Sequence, residues 1–337
     1  MENSFNVLWL QSGGCGGCSM SVLNAEQPDF FSSFQLNNIN LLWHPSFSEA
    51  SNEEFLSLLL SIESSETKLD ALCLEGSLLR GPNGSGRFHM LSGTERSMIN
   101  VIESLSQQAN YTVAIGSCAS FGGITMAHPN PSEACGLQYE GKERGGLLKE
   151  SWLSPGKLPV INISGCPTHP NWVIESLIQL AMGDFNSEDL DNYNRPRSYT
   201  NHLVHHGCPR NEYYEYKASA EQSSDLGCMM EHLGCLGTQA RADCNTRLWN
   251  GEGSCLRGGY ACINCTAPEF EEPGHNFTET PKIAGIPLGL PTDMPKAWFV
   301  ALASLSKAAT PKRLKVNSTS DHILISPGSK TKEGNKK

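Results

Sequence analysis

Short apolar runs alternate with stretches of helical period over the first half of the chain. Val7–Leu10, Ile39–Trp43, Leu69–Leu74, Val113–Ile115 and Val160–Ile163 are brief and bounded by Gly, Pro or Asn, as buried parallel strands are. Between them Phe55, Leu58, Leu59 and Ile62 recur at helical spacing, with Ser51 and Glu54 placed as a capping box, which predicts a helix over residues 52–63. Met98, Val101, Ile102 and Leu105 repeat the pattern, with Ser92 and Glu95 as the expected cap. A third helix is predicted over Trp172–Met182, stopped by Gly183. This alternation predicts an α/β domain over residues 1–185, a doubly wound, flavodoxin-like parallel sheet. No phosphate-cradling glycine loop accompanies it, so a nucleotide is not indicated. Residues 186–198, rich in Asp, Asn, Pro and Arg, read as a linker. Regular periodicity then fades over 199–310, and the polar stretch 311–337 is expected to be a disordered tail.

Cysteine changes this picture most. Cys15 and Cys18 lie in a loop with four glycines directly after the first apolar run; Cys118 and Cys166 follow the fourth and fifth. Loops at the carboxyl ends of parallel strands share one edge, so these four thiols can converge. Four thiolates could hold zinc or an iron–sulfur cluster, and spacing does not choose between them. A lone Cys-x-x-Cys is as often a redox dithiol.

The second half carries seven cysteines with few periodic apolar positions; metal–thiolate bonds can supply fixation where burial does not. Two four-ligand sets divide naturally, His205, Cys208, Cys228, Cys235 and Cys244, Cys255, Cys262, Cys265. The bland alternative is one or two zinc knuckles with spare cysteines. His202 and His206 compete with His205, which only the offset to Cys208 favours. Cys73 and Cys135 are left over, and Cys73 reads as a small core hydrophobe.

Thirteen cysteines in 337 residues, with no export signal legible at the N-terminus, argue against a disulfide scaffold and for a cytoplasmic location. A net charge of −10 argues against a nucleic-acid groove. No apolar run is long enough for a transmembrane anchor.

Taken together, Cys15-Gly16-Gly17-Cys18, Gly116-Ser117-Cys118-Ala119-Ser120-Phe121-Gly122-Gly123, Gly165-Cys166-Pro167, His205-His206-Gly207-Cys208-Pro209-Arg210, the Cys228 and Cys235 pair and Cys262-Ile263-Asn264-Cys265 resemble the small, electron-transferring subunit of nickel–iron hydrogenases. The resemblance runs over about residues 5–310. It implies an oxidoreductase acting on hydrogen, with three iron–sulfur clusters in this chain and a nickel–iron site in a separate large subunit. The proximal 4Fe–4S cluster would sit on Cys15, Cys18, Cys118 and Cys166, and the distal one on His205, Cys208, Cys228 and Cys235. The medial cluster would use Cys244, Cys262 and Cys265. Many family members hold 3Fe–4S there, with a proline where this chain has Cys255, so a medial 4Fe–4S is expected. No catalytic residue is expected here, although Glu75 is a candidate neighbour of the proximal site. Partners implied are the large subunit, further heterodimers and an external electron acceptor, or a signalling kinase if the complex is a hydrogen sensor. The cluster subunit of a quinone reductase shares the proximal fold but should lack the seven downstream cysteines and His205.

Overall fold

The computed structural model describes residues 4–26, 28–272 and 274–328. They form two compact units: one contains residues 4–201 and Cys265–Glu272, the other His202–Asn264 and residues 274–328.

The first unit is built on five parallel strands, β1 (Phe5–Gln11), β2 (Ile39–Trp43), β3 (Ala71–Glu75), β4 (Tyr111–Ile115) and β5 (Ile161–Ile163). Their spatial order is β2-β1-β3-β4-β5, the flavodoxin-like order. Val7, Leu8, Trp9, Leu10 and all of β3 are buried, which explains why these strands read as continuous apolar runs rather than alternating ones. Helices α1 (Gly17–Val22), α2 (Phe30–Leu36), α3 (Asn52–Glu63), α4 (Met98–Gln108), α5 (Gly116–Phe121), α6 (Pro170–Met182) and α7 (Arg197–Thr200) fill the connections. The α3 capping box forms as expected from Ser51 and Glu54, and Gly183 closes α6 in the left-handed conformation.

Three expectations are corrected. Helix α4 does not start from a Ser92–Glu95 cap: Leu91 N–H bonds the Arg96 carbonyl, this turn occupies 91–96, and Ser97 becomes the N-cap. Residues 186–198 are no linker between the units. The Asn194 carbonyl accepts from Asn162 N–H and thereby closes the β5 edge, while buried Arg195 pairs with Asp191 at 2.7 Å and donates to the Thr266 carbonyl. Their polarity serves backbone groups of the fold, which composition cannot distinguish from solvation. The expected disordered tail is folded over 311–328, where α10 (Lys312–Asn317) buries Leu314 and the Asn317 side chain bonds both the Ile325 N–H and carbonyl groups. Residues 329–337 lie outside the described residues.

The second unit has little regular structure: α8 (Asn211–Glu215), α9 (Lys296–Ala308), α10, a short antiparallel ribbon of Lys282–Ile283 with Ile286–Pro287, and turns. A small apolar cluster of Tyr214, Met230 and Phe299 packs there. Cys73 and Cys135 are both fully buried, Cys73 within β3 and Cys135 in a two-residue strand, Ala134–Cys135. Among the described residues, no helix is long and apolar enough to cross a membrane.

Candidate iron–sulfur sites

Each cysteine of the proximal set leaves the same edge of the sheet. Cys15 follows β1, Cys18 opens α1, Cys118 lies in α5 directly after β4, and Cys166 follows β5. Three of the thiols are raised by their neighbours: Cys18 by Cys118 and Cys166, Cys118 by Cys166 and Cys15, and Cys166 by Cys15. Burial is the larger cause in each case, lifting Cys18 strongly and Cys118 to about 11. Close approach is achieved with glycine. Gly116 has φ +84°, and a Cβ there would lie 2.5 Å from Cys18 Sγ.

Glu75, the last residue of β3, is buried beneath this loop. Its Oε1 accepts from Cys18 N–H at 2.9 Å and Ser19 N–H at 3.1 Å; its Oε2 accepts from Ser19 Oγ at 2.5 Å, Gln11 Nε2 at 3.1 Å and Trp9 Nε1 at 3.4 Å. The carboxylate therefore caps α1 and fixes the backbone that presents Cys18. It is a positioning residue.

His44 completes this network. Its Nδ1 accepts from Ser46 N–H, which puts the ring proton on Nε2, 3.1 Å from Ser19 Oγ. Burial lowers the His44 pKa to about 4. An unfolded chain then binds a proton that the native one refuses between about pH 6.5 and about 4, so stability is retained above that window and lost as pH falls through it. The urea midpoint of the protein should fall across this window, and the slope should flatten in His44→Gln. An unchanged slope in that variant would contradict the assignment.

The distal set gathers in the second unit. His205, Cys208, Cys228 and Cys235 line one cavity together with Arg210 and Tyr214. His205 has a ring nitrogen kept neutral by burial and packs edge-on to Tyr214 at 4.2 Å. His206 instead pairs with exposed Asp293 at 2.7 Å, so the neighbouring histidines are separated by their surroundings. Burial raises the thiols, Cys208 to about 11 and Cys228 to about 12. The Arg210 guanidinium, beside all three thiols, bonds the Asp225 and Gly227 carbonyls at 2.5 and 2.7 Å and thus anchors the Cys228 loop.

Of the remaining set, Cys244, Cys255 and Cys262 belong to the second unit and Cys265 to the first. Cys255 is exposed, and it lies close enough to Cys235 to raise that thiol's pKa.

One local feature recurs in both units and was not legible in the spacing. The backbone N–H two residues after a cysteine points at its sulfur: Gly17 to Cys15, Arg210 to Cys208 and Asn264 to Cys262, each at 3.4 Å, with Met230 to Cys228 and Gly237 to Cys235. Thr168 does the same for Cys18, and Ile124 and Thr125 for Cys118. These donors favour sulfur as an anion, whereas burial resists ionisation without a cation; a metal centre satisfies both. Among the described residues no three His, Cys, Asp or Glu side chains are close enough to share a single ion.

The first unit thus brings four thiols to the carboxyl edge of a five-strand sheet, and the second gathers three more around half-buried His205. Residues 15–180 match the family described as NADH ubiquinone oxidoreductase, 20 Kd subunit, and residues 200–278 match the C-terminal family of NiFe/NiFeSe hydrogenase small subunits. The chain is 33% identical over 291 residues to the F420 non-reducing hydrogenase II small subunit of Methanosarcina mazei, covering 79% of this chain and 73% of that one. It is 29% identical over 282 residues to the periplasmic [NiFeSe] hydrogenase small subunit of Desulfomicrobium baculatum, covering 79% and 84%. Among solved structures, the actinobacterial-type NiFe-hydrogenase from Ralstonia eutropha H16 superposes with a TM-score of 0.74 at 26% identity over 92% of each chain. The chain belongs to the nickel–iron hydrogenase small-subunit family. Small subunits of this family carry iron–sulfur clusters and act as oxidoreductases with a nickel–iron large subunit. The C-terminal match sets it apart from the quinone-reductase subunit, as its downstream cysteines required.

Proposed function

We propose that this chain relays electrons from hydrogen oxidation in a large subunit to an external acceptor, in the cytoplasm, through three 4Fe–4S sites. Cys15, Cys18, Cys118 and Cys166 would hold the proximal group, Cys244, Cys255, Cys262 and Cys265 the medial one, and His205, Cys208, Cys228 and Cys235 the distal one. When bound, such clusters supply one-electron transfer. The residues of the chain do the rest. Glu75 and the glycines hold the proximal thiols in place, and the N–H groups aimed at sulfur favour its negative charge. A neutral His205 in place of a fourth thiolate makes the distal site less negative, which raises its potential. The observation that carries the reading is the repeated N–H to sulfur contact within two separate sets of gathered thiols. Exposed Cys15, with Met20 and Leu23 on or beside α1, suits a face covered by a large subunit. We put an enzyme that turns over hydrogen ahead of a hydrogen sensor acting on a kinase, in line with the names of the relatives given above.

The test is hydrogen-dependent viologen reduction by the complex purified natively and anaerobically. Rapid turnover with a large subunit present is expected. Turnover slower by orders of magnitude, with full iron, would indicate the sensor, and none at all would overturn the reading.

A further inference from the structure

The second unit contains another cavity, of about 210 Å³, that cluster binding does not explain. Tyr214, Lys217, Cys228, Lys282, Phe299 and Lys307 line it, together with the single carboxylate of Glu231. Lys282 is engaged by Glu231 at 3.2 Å and Glu279 at 3.1 Å. Among the described residues neither Lys217 nor Lys307 is ion-paired. The Lys217 ammonium is half-buried and lies 4.0 Å from the Tyr214 ring centroid and 4.7 Å from that of Phe299. The Tyr214 hydroxyl is buried, with no hydrogen-bond partner. Three lysines against one glutamate, two aromatic faces and an unanswered hydroxyl form a lining suited to an aromatic anion.

Its position gives this chemistry a use. Tyr214 and Cys228 line both this cavity and the one shared by His205, Cys208 and Cys235. The Tyr214 ring, packed on His205 at 4.2 Å, forms part of the wall between them. A molecule in the outer cavity thus rests against two residues of the distal site.

We propose that this cavity binds a small, planar, anionic aromatic electron acceptor, its charged group between Lys217 and Lys307 and its ring against Phe299 and Tyr214. The volume is below that of a drug-sized pocket, so one or two fused rings are the upper size. A sulfonated or carboxylated quinone is the simplest member of this class. The overall exchange is hydrogen plus quinone giving hydroquinone: the H–H bond breaks, releasing two electrons and two protons, and two O–H bonds form on the quinone. This redox role rests on the function proposed above; binding does not.

The test uses the native heterodimer and two probes, a naphthalene sulfonate, which is fluorescent and redox-inert, and a naphthoquinone sulfonate as acceptor. Saturable naphthalene sulfonate binding is expected. Lys217→Gln with Lys307→Gln should weaken it about tenfold, the scale of lost charge-assisted contacts, and raise KM for the naphthoquinone sulfonate by a similar factor with little change in kcat. Lys217→Gln with Lys307→Arg should recover part of the binding, which a folding defect would not allow. No saturable binding to the wild type, or equal binding by the double glutamine variant, overturns the site. If the wild type binds the naphthalene sulfonate yet reduces no viologen with hydrogen, the site stands and the hydrogenase reading falls; if it reduces viologen without binding the sulfonate, the hydrogenase reading stands and the site falls.

Discussion

Glu75→Ala is expected to strip the proximal site of its iron and to lower the urea midpoint of the protein markedly. The carboxylate is the acceptor for Cys18 N–H, Ser19 N–H and Trp9 Nε1 and for the Ser19 hydroxyl, all at or beneath the Cys15–Cys18 loop. Alanine removes the acceptor from all of these donors. Each buried donor without a partner costs about 1–3 kcal/mol, so the total is roughly 3–5 kcal/mol once some donors find new partners. His44 and Gln11 already bond Ser19 Oγ and limit the loss at that atom. Glu75→Gln keeps the shape and one acceptor oxygen but turns an NH₂ toward the donors, so it should fall between wild type and alanine. The measurements are urea denaturation and iron per chain, which should drop by about four in the alanine variant. Wild-type iron and midpoint in Glu75→Ala would show that the carboxylate positions nothing.

Gly116→Ala, a single added methyl, is expected to be nearly as damaging to the proximal site while leaving the second unit's sites loaded. Two costs combine. The backbone at Gly116 is left-handed, which disfavours an L side chain by roughly 1–2 kcal/mol. The new Cβ would also lie 2.5 Å from Cys18 Sγ and 3.4 Å from the Gly165 carbonyl. Sulfur is the softer neighbour, so the Cys18 side chain yields, and a displaced thiol cannot serve as a ligand. The expected result is iron lower by about four per chain and loss of hydrogen-dependent dye reduction, with the remaining clusters detectable by electron paramagnetic resonance. Retention of all the iron would mean that Cys18 does not hold a metal centre at this position.

These two positions also show what could be read in the chain and what could not. The five strands were legible because a sheet covered on both faces writes itself as uninterrupted apolar runs: β3 is buried throughout and β1 over Val7–Leu10. The sheet order then places Cys15, Cys118 and Cys166 on one edge without any side-chain geometry. The glycines around them were visible as residues, but only the fold shows which one faces a sulfur. Glu75 was visible as a carboxylate at a strand end; its five donors arise from β1 and α1, far away in sequence. The segment 186–198 and α10 were misread for a shared reason. Polar residues that close a sheet edge or tie a terminal helix down have the composition of a linker or a loose tail, and only their partners reveal the difference. Only its offset to Cys208 marks His205 out from His206 in the sequence, whereas packing against Tyr214 versus pairing with Asp293 separates them in the fold.

The central claim is that eleven cysteines and His205 hold three four-iron clusters. Mössbauer spectroscopy with iron and zinc counting on the natively purified heterodimer tests it most directly. The expected result is about twelve cluster irons per chain, all in 4Fe–4S centres, with one cluster losing an iron in Cys255→Pro. Zinc in place of iron, or a 3Fe–4S centre in the wild-type protein, would contradict it.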